Sequence, residues 1–258
     1  MQTTPRVKLI SYTPNPEKVI ATAAKLCYSS SDVEHLMEGL TDEKVESFLN
    51  LLFNLGHESP IEHATFTFAI EGISRACSLQ LVRHRIASYS QKSQRYVSEG
   101  GFDYIVPPSI ERHPYLKTMF ETEMNHIQNK YDYLRSCLVT EIMNDEGISK
   151  EAAEKRANED ARFLLPNACE TKIVVTMNIR SLFNFFKERC CNRAQWEIRA
   201  VAMEMWHQCM EVSRLIFKHA GPECITKGKC PEGKMSCGKP PIMCHGERSH
   251  PTPDKETK

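Results

Sequence analysis

Five fixed positive charges, Arg75, Arg83, Arg85, Lys92 and Arg95, fall between Gly72 and Ser98 without one carboxylate among them. The chain as a whole is neutral, with Lys+Arg and Asp+Glu both at 33, so this segment is a local anion site rather than part of a basic surface. Ser88, Ser90, Gln91, Ser93 and Gln94 lie between the cations and supply short hydroxyl and amide donors. Such a loop can wrap a phosphate with its free N–H groups while an arginine fork binds it bidentately. The consecutive side chains of Arg83, His84 and Arg85 diverge in any regular backbone. They must reach different partners, which suits two anionic or polar ligands held side by side. Three other readings stay open: a solvated basic loop, a loop paired with carboxylates elsewhere, and a nucleic-acid contact in which Tyr89 and Tyr96 stack on bases. Zero net charge and the lack of a known binding module weigh against nucleic acid.

The elements that position this segment can be read from periodicity. Asn15-Pro16 is an N-cap with proline at the first helical position, opening a helix over Glu17 to Cys27. Val45, Phe48, Leu52 and Leu55 step by three and four, which predicts a helix from Asp42 to Leu55. From Ala64 to Ile70 the period drops to two, that of a strand with one buried face. Ser74 to Arg83 reads as a helix and Ser88 to Gln94 as a loop. Ile127, Tyr131, Leu134 and Leu138 mark a helix face, and Ser149 caps a further helix ending near Pro166. Thr171 to Met177 is a short β-branched strand; Ser181 to Cys191 and Gln195 to Lys218 are helices, the second striped by Ile198, Val201, Met205, Cys209, Val212 and Ile216. The order is that of an α+β fold. No internal repeat is evident.

With 41% hydrophobic and 26% charged residues in 258, the composition is that of a globular protein. Neither a signal-peptide core nor an apolar run near the roughly 20 residues of a membrane span is present, so a cytoplasmic protein is expected. The eleven cysteines are odd in number and mostly single within apolar segments, which argues against a disulfide framework. Residues 221–258 hold six of the fourteen prolines, four cysteines and no Phe, Trp or Tyr, and are expected to form a mobile tail after a domain over 1–220. No metal is expected. Cys224, Cys230, Cys237 and Cys244, with His245 and His250, are the alternative zinc set, but they lack the close Cys-x-x-Cys pair of familiar sites.

Arg83-His84-Arg85, then Ser93 and Arg95, resembles the signature of the flavin-dependent thymidylate synthases, the ThyX family. Three further blocks resemble that family in the same order. They are Gly56-His57-Glu58-Ser59-Pro60-Ile61-Glu62-His63, then Ala161-Arg162-Phe163-Leu164-Leu165-Pro166, then Asn178 to Phe185 with Arg189 and Ala194 to Arg199. The resemblance spans roughly Val7 to Ala220.

It implies a ThyX-type fold, with a mixed sheet, flanking helices and a helical segment, and not a Rossmann fold. The missing Gly-x-Gly-x-x-Gly agrees. The implied activity is reductive methylation of dUMP to dTMP, with methylenetetrahydrofolate as carbon donor and FADH2, regenerated by NADPH, as hydride donor. Gln80, Arg83, Gln91, Lys92, Ser93, Gln94, Arg95 and Arg162 would bind dUMP; Arg189 would bind it too and stabilise charge developing on the uracil ring. An Arg189 that merely answers helix carbonyls is the alternative. FAD would be held by Ser59, Arg83, His84, Arg85, Gln91, Asn178, Arg180 and Asn184, with Glu62 and Glu188 as further candidates and His57 near the folate or flavin edge. Ser59-Pro60-x-Glu62 also reads as a capping box. His84 is expected to stay neutral between its two arginines. Family members are homotetramers with shared active sites. In several relatives a histidine stands where this chain has Arg193, which leaves that flavin contact open. Cys190-Cys191 raises a second reading, a thiolate attacking uracil, though the other motifs of that enzyme class are absent.

Overall fold

Residues 1–243 are described by a computed structural model. In chain order the elements are β1 (Arg6–Tyr12), α1 (Pro16–Leu26), α2 (Val33–Glu38), α3 (Asp42–Leu55), β2 (Thr65–Ser74), α4 (Arg75–Leu81), β3 (Ala87–Gln91) and α5 (Pro108–Glu111). Then follow α6 (Pro114–Glu146), α7 (Lys150–Ala161), β4 (Glu170–Asn178), α8 (Ile179–Arg189), α9 (Trp196–Val212), α10 (Arg214–Phe217) and α11 (Glu223–Thr226). The chain divides into two compact units, one formed by Met1–Tyr12 with Thr65–Asn178, the other by Thr13–Ala64 with the residues from Ile179 onward.

In the first unit the strands form one antiparallel sheet in the order β1-β2-β4-β3, where the sequence predicted a mixed one. Phe66, Phe68 and Ile70 of β2 pair with Met177, Val175 and Ile173 of β4, and all six are buried on one face. The same register aligns Ala87, Tyr89 and Gln91 of β3 on that face, while Ser88 and Ser90 turn outward and are exposed. Residues 87–91, predicted within or beside a loop, are therefore an edge strand. Their alternation is polar, and the ladder partners that make them a strand come from β4, more than eighty residues later. Strand β1 was not predicted, since it too depends on a distant partner, β2. A bulge between Ile70 and Ile73 places Gly72 at φ +67, where a Cβ would stand 2.1 Å from the Thr4 carbonyl oxygen; only glycine fits. Phe102, Tyr104, Val106, Met124 and Cys169 form a separate apolar cluster packed by Ile110, Phe120 and Ile127.

The second unit is helical. Its α3 has the predicted span; the Thr41 hydroxyl caps it by accepting from Lys44 N, and Gly56 ends it in the left-handed region. Val45 and Leu52 of the predicted stripe are buried, as is Leu49 outside it, whereas Leu55, in the last turn, is exposed. Asn15 does precede α1, but in a left-handed conformation without a side-chain cap. The predicted helix from Gln195 to Lys218 breaks at Ser213, and Trp206 Nε1 donates to the Phe217 carbonyl across the break at 3.2 Å. Trp206, Phe185, Phe186 and Phe217 are fully buried, and Phe53 stacks between Phe183 and His219.

Candidate active site

The cationic segment begins where α4 ends. Ser74 caps that helix, its Oγ accepting from Cys77 N at 3.0 Å, a cap that stabilises by about 1 kcal/mol. After Leu81 the chain turns through Arg83, His84 and Arg85 and reverses at Ile86, whose φ of +60 is unusual for a β-branched residue. The turn separates the three side chains as their adjacency required: Arg83 and Arg85 are exposed, and His84 is buried between them. Among the described residues neither arginine has an ion-pair or hydrogen-bond partner for its guanidinium. The reversal is held by Tyr89 Oη, which lies 3.0 Å from the Leu81 carbonyl and 2.9 Å from that of His84. Burial pushes the Tyr89 phenol up to about 12, so it remains a donor at any physiological pH.

Beyond β3 the donors of Gln91 to Arg95 are partly committed. Gln91 Nε2 donates to Ser78 Oγ at 2.9 Å and Thr171 Oγ1 at 3.2 Å, and Gln94 Nε2 reaches Cys169 Sγ at 3.7 Å. Ser93 Oγ accepts from Arg95 N and Tyr96 N at 3.2 and 3.4 Å, which folds the loop into a tight turn. Lys92 Nζ lies 2.8 Å from the buried carboxylate of Glu99.

Arg95 and Arg162, far apart in sequence, are organised by one residue. Glu159 accepts Arg95 Nε on its carboxylate at 2.9 Å and Arg162 Nε on its carbonyl oxygen at 3.0 Å. Each contact uses the Nε edge. Among the described residues the terminal Nη atoms of both guanidiniums carry no hydrogen bond, so two forks remain open for an anion. Arg95 is further steadied by the Tyr96 ring, 5.5 Å away. Sequence reasoning missed Glu159, because its carboxylate partner, Arg95, lies 64 residues away. It also missed Glu99 and the bracing role of Tyr89.

The second unit carries the other predicted residues except Gln80 and Asn178, which belong to the first. Ser59, Arg180 and Asn184 are exposed. Arg180 and Asn184 stand four apart on α8 and so share a face. The hydrogen bond that Arg180 donates to Glu62, the charge of Glu62, and Glu58 at 3.4 Å raise the Arg180 pKa and fix the side chain. The predicted capping box at Ser59 is not formed, because Pro60–His63 is a short 3-10 turn whose Ser59 makes no side-chain cap, and Glu62 is turned to Arg180. Asn178 ends β4 opposite Thr65 in the first unit, His57 is exposed, and so is Glu188. Arg189 is half-buried in the last turn of α8.

Cys190 is wholly buried, and burial pushes its thiol far up, which disfavours the thiolate a nucleophile needs. Arg193 Nη1 donates to the Met235 carbonyl at 2.7 Å and Asn192 to that of Lys239 at 2.7 Å, so residues after Ala220 pack against this corner. Among the described residues no group of three or more His, Cys, Asp or Glu side chains is placed to hold a metal; Cys244, His245 and His250 lie outside them. No helix among the described residues is long and apolar enough to cross a membrane.

Residues 8–213 match the family described as thymidylate synthase complementing protein. The chain is 56% identical over 234 residues to the flavin-dependent thymidylate synthase of Clostridium tetani, covering 91% of this chain and 93% of that one. The chain belongs to the flavin-dependent thymidylate synthase family. The Geobacter sulfurreducens member is 49% identical over 236 residues, covering 91% of this chain and 94% of the relative. A solved UMP/dUMP methylase, PolB from Streptomyces cacaoi bound with 5-Br dUMP, superposes with a TM-score of 0.67 at 19% identity. It covers 84% of this chain and 94% of that one, a likeness of fold that agrees with the family's non-Rossmann α+β architecture.

Proposed function

We propose that this chain is a flavin-dependent thymidylate synthase that methylates dUMP to dTMP, with methylenetetrahydrofolate as carbon donor and NADPH as the source of reducing equivalents. The observation that carries the reading is the pair of open guanidinium forks of Arg95 and Arg162 on Glu159, beside the Ser93 turn. Two rigid forks match a phosphate dianion, which supports dUMP as the ligand of this end of the segment. Gln80, Arg83, Gln91 and Gln94 complete the dUMP set around Lys92, whose ammonium is already held by Glu99, and Arg189 stabilises negative charge as carbon 5 of the ring becomes nucleophilic.

The residues assigned to FAD suit it by the chemistry of their donors. Arg83 and Arg85 are exposed and unpaired among the described residues, as a pyrophosphate ligand requires. Ser59, His84, Gln91, Asn178 and Asn184 add neutral hydrogen-bonding groups, and Arg180, aimed by Glu58 and Glu62, keeps one terminal nitrogen to offer. A reduced flavin supplies the hydride. The protein's part is to orient dUMP by its phosphate and to answer charge at the ring. The working form is a cytoplasmic homotetramer, residues 1–220 are the synthase domain and 221–258 its tail, and neither nucleic acid nor membrane is a partner.

The purified protein is expected to be yellow, with a flavin absorbance spectrum, and to form dTMP only when dUMP, methylenetetrahydrofolate and NADPH are all present. A colourless protein whose affinity for anions falls steeply with salt would sink this reading in favour of nucleic-acid binding.

A further inference from the structure

Glu99 is among the most enclosed charges in the first unit, its side chain 3% exposed, and it sits four residues after Arg95. Its Oε2 accepts from Lys92 Nζ at 2.8 Å, while among the described residues its Oε1 is buried with no hydrogen-bond partner. The Glu99 backbone is pinned to α6 on both sides. Tyr131 Oη lies 3.2 Å from its N–H, and Gln128 Nε2 donates to its carbonyl oxygen at 3.2 Å. Lys92 is pinned to the sheet, its N–H donating to the Lys172 carbonyl at 2.9 Å. One ion pair, its carboxylate buried and its ammonium partly so, thus joins the sheet edge to the long helix, and Ser93, Gln94 and Arg95 lie in the short stretch between its two ends.

We infer that Glu99 is a positioning residue for the Gln91–Arg95 phosphate cradle and that Lys92 acts as the strut between them, not as a ligand of the phosphate. The inference rests on the reading of this segment as the dUMP phosphate site. An ion pair this enclosed is a poor source of stability, since the desolvation of two charges offsets most of their attraction. What it supplies is direction: an apolar pair would leave the turn free to shift, whereas Nζ to Oε2 fixes one distance. The other charged and titratable groups near Glu99 are Glu170, Arg75 and Cys169. Burial pushes the Cys169 thiol up to about 12 and leaves it neutral, and Glu170 accepts the Gly72 N–H at 3.0 Å, so Lys92 is the ammonium that answers Glu99. For Glu99, burial outweighs the bond to Lys92 and raises its carboxyl pKa; for Lys92, burial is outweighed by Glu99 and the ammonium is held more firmly. The raised Lys92 pKa favours the ion pair and the raised Glu99 pKa opposes it; the 2.8 Å contact is what holds the pair, and it loosens as Glu99 takes a proton.

The test is a double-mutant cycle on the full-length holoenzyme with Glu99→Gln, Lys92→Met and the two combined, read by dUMP affinity and by KM against kcat. Each single change is expected to raise the dUMP Kd about tenfold, equivalent to about 1.4 kcal/mol, with most of the loss in KM. The double variant is expected to lose no more than either single one. It leaves no unpaired buried charge, so it stays informative where a single variant unfolds, and wild-type affinity in it overturns the inference. So do additive losses, or a Glu99→Gln protein that binds dUMP more tightly, because a freed Lys92 would then be the phosphate ligand. The wild-type to Glu99→Gln affinity ratio should fall toward one as pH falls, since a protonated Glu99 resembles glutamine. A ratio that does not change with pH counts against the inference. If the wild-type protein does not bind dUMP at all, the functional reading fails and the inference falls with it; if it does and the variants match it, the inference alone fails.

Discussion

Replacing Arg95 by alanine removes one of the two forks that Glu159 holds ready. The Nε edge is taken by the carboxylate at 2.9 Å and one face lies against Tyr96, so the terminal nitrogens are oriented before a ligand arrives. Charge-assisted hydrogen bonds contribute about 1.5 to 3 kcal/mol, and a side chain 43% exposed belongs near the lower end. A loss of about 2 kcal/mol corresponds to about thirtyfold in the dUMP Kd. Lysine cannot reproduce the fork, so Arg95→Lys should recover only part of that loss. Glu159→Gln keeps an acceptor for Nε and should weaken dUMP by about three- to fivefold, a fraction of one charge-assisted bond. The assay is calorimetric titration of the holoenzyme with dUMP and, in parallel, with deoxyuridine, which lacks the phosphate. Arg95→Ala should discriminate against dUMP alone and leave the flavin spectrum intact. An equal loss for both ligands, or loss of flavin, would refute the assignment of Arg95 to the phosphate.

Three further outcomes are expected. Arg85→Ala should purify with depleted flavin, measured by absorbance against protein, while dUMP affinity in flavin-reconstituted protein stays near wild type; full flavin occupancy would remove Arg85 from the cofactor set. Tyr89→Phe leaves the Leu81 and His84 carbonyls without their shared donor and should cost about 1 to 2 kcal/mol. At about 2 to 4 °C per kcal/mol for a chain of this size, that is a fall in melting temperature of several degrees, and no fall would mean the phenol braces nothing. Cys190→Ser should retain turnover, and the Cys190 thiol should react with a disulfide reagent only on unfolding, because burial keeps it protonated. A dead, well-folded Cys190→Ser enzyme would revive the thiolate reading.

Much of this protein was legible one residue at a time. The stripe that gave Asp42 to Leu55, the Ser149 cap and the stripe from Ile198 to Cys209 placed helix starts within a residue or two, because helix hydrogen bonds and caps are local, while the ends near Pro166 and Lys218 came out several residues too late. The divergence of Arg83, His84 and Arg85 was readable too, since it follows from backbone geometry alone. The capping box at Ser59 misled because Glu62 had a stronger partner in Arg180, 118 residues away. Residues 87–91 looked like a loop because polar alternation has no meaning until β4 supplies the ladder.

The sequence by itself determined that a concentrated run of cations and short donors exists, which family it resembles, and where the helices that carry it begin. Only the tertiary structure decided which cations are spoken for. Lys92 is taken by Glu99 and the Nε edge of Arg95 by Glu159, 64 positions away, while Arg83 and Arg85 have no such partner among the described residues. Composition counts charges but not distances, and electrostatic pairing, which falls off within a few ångströms of water, is settled by distance and burial.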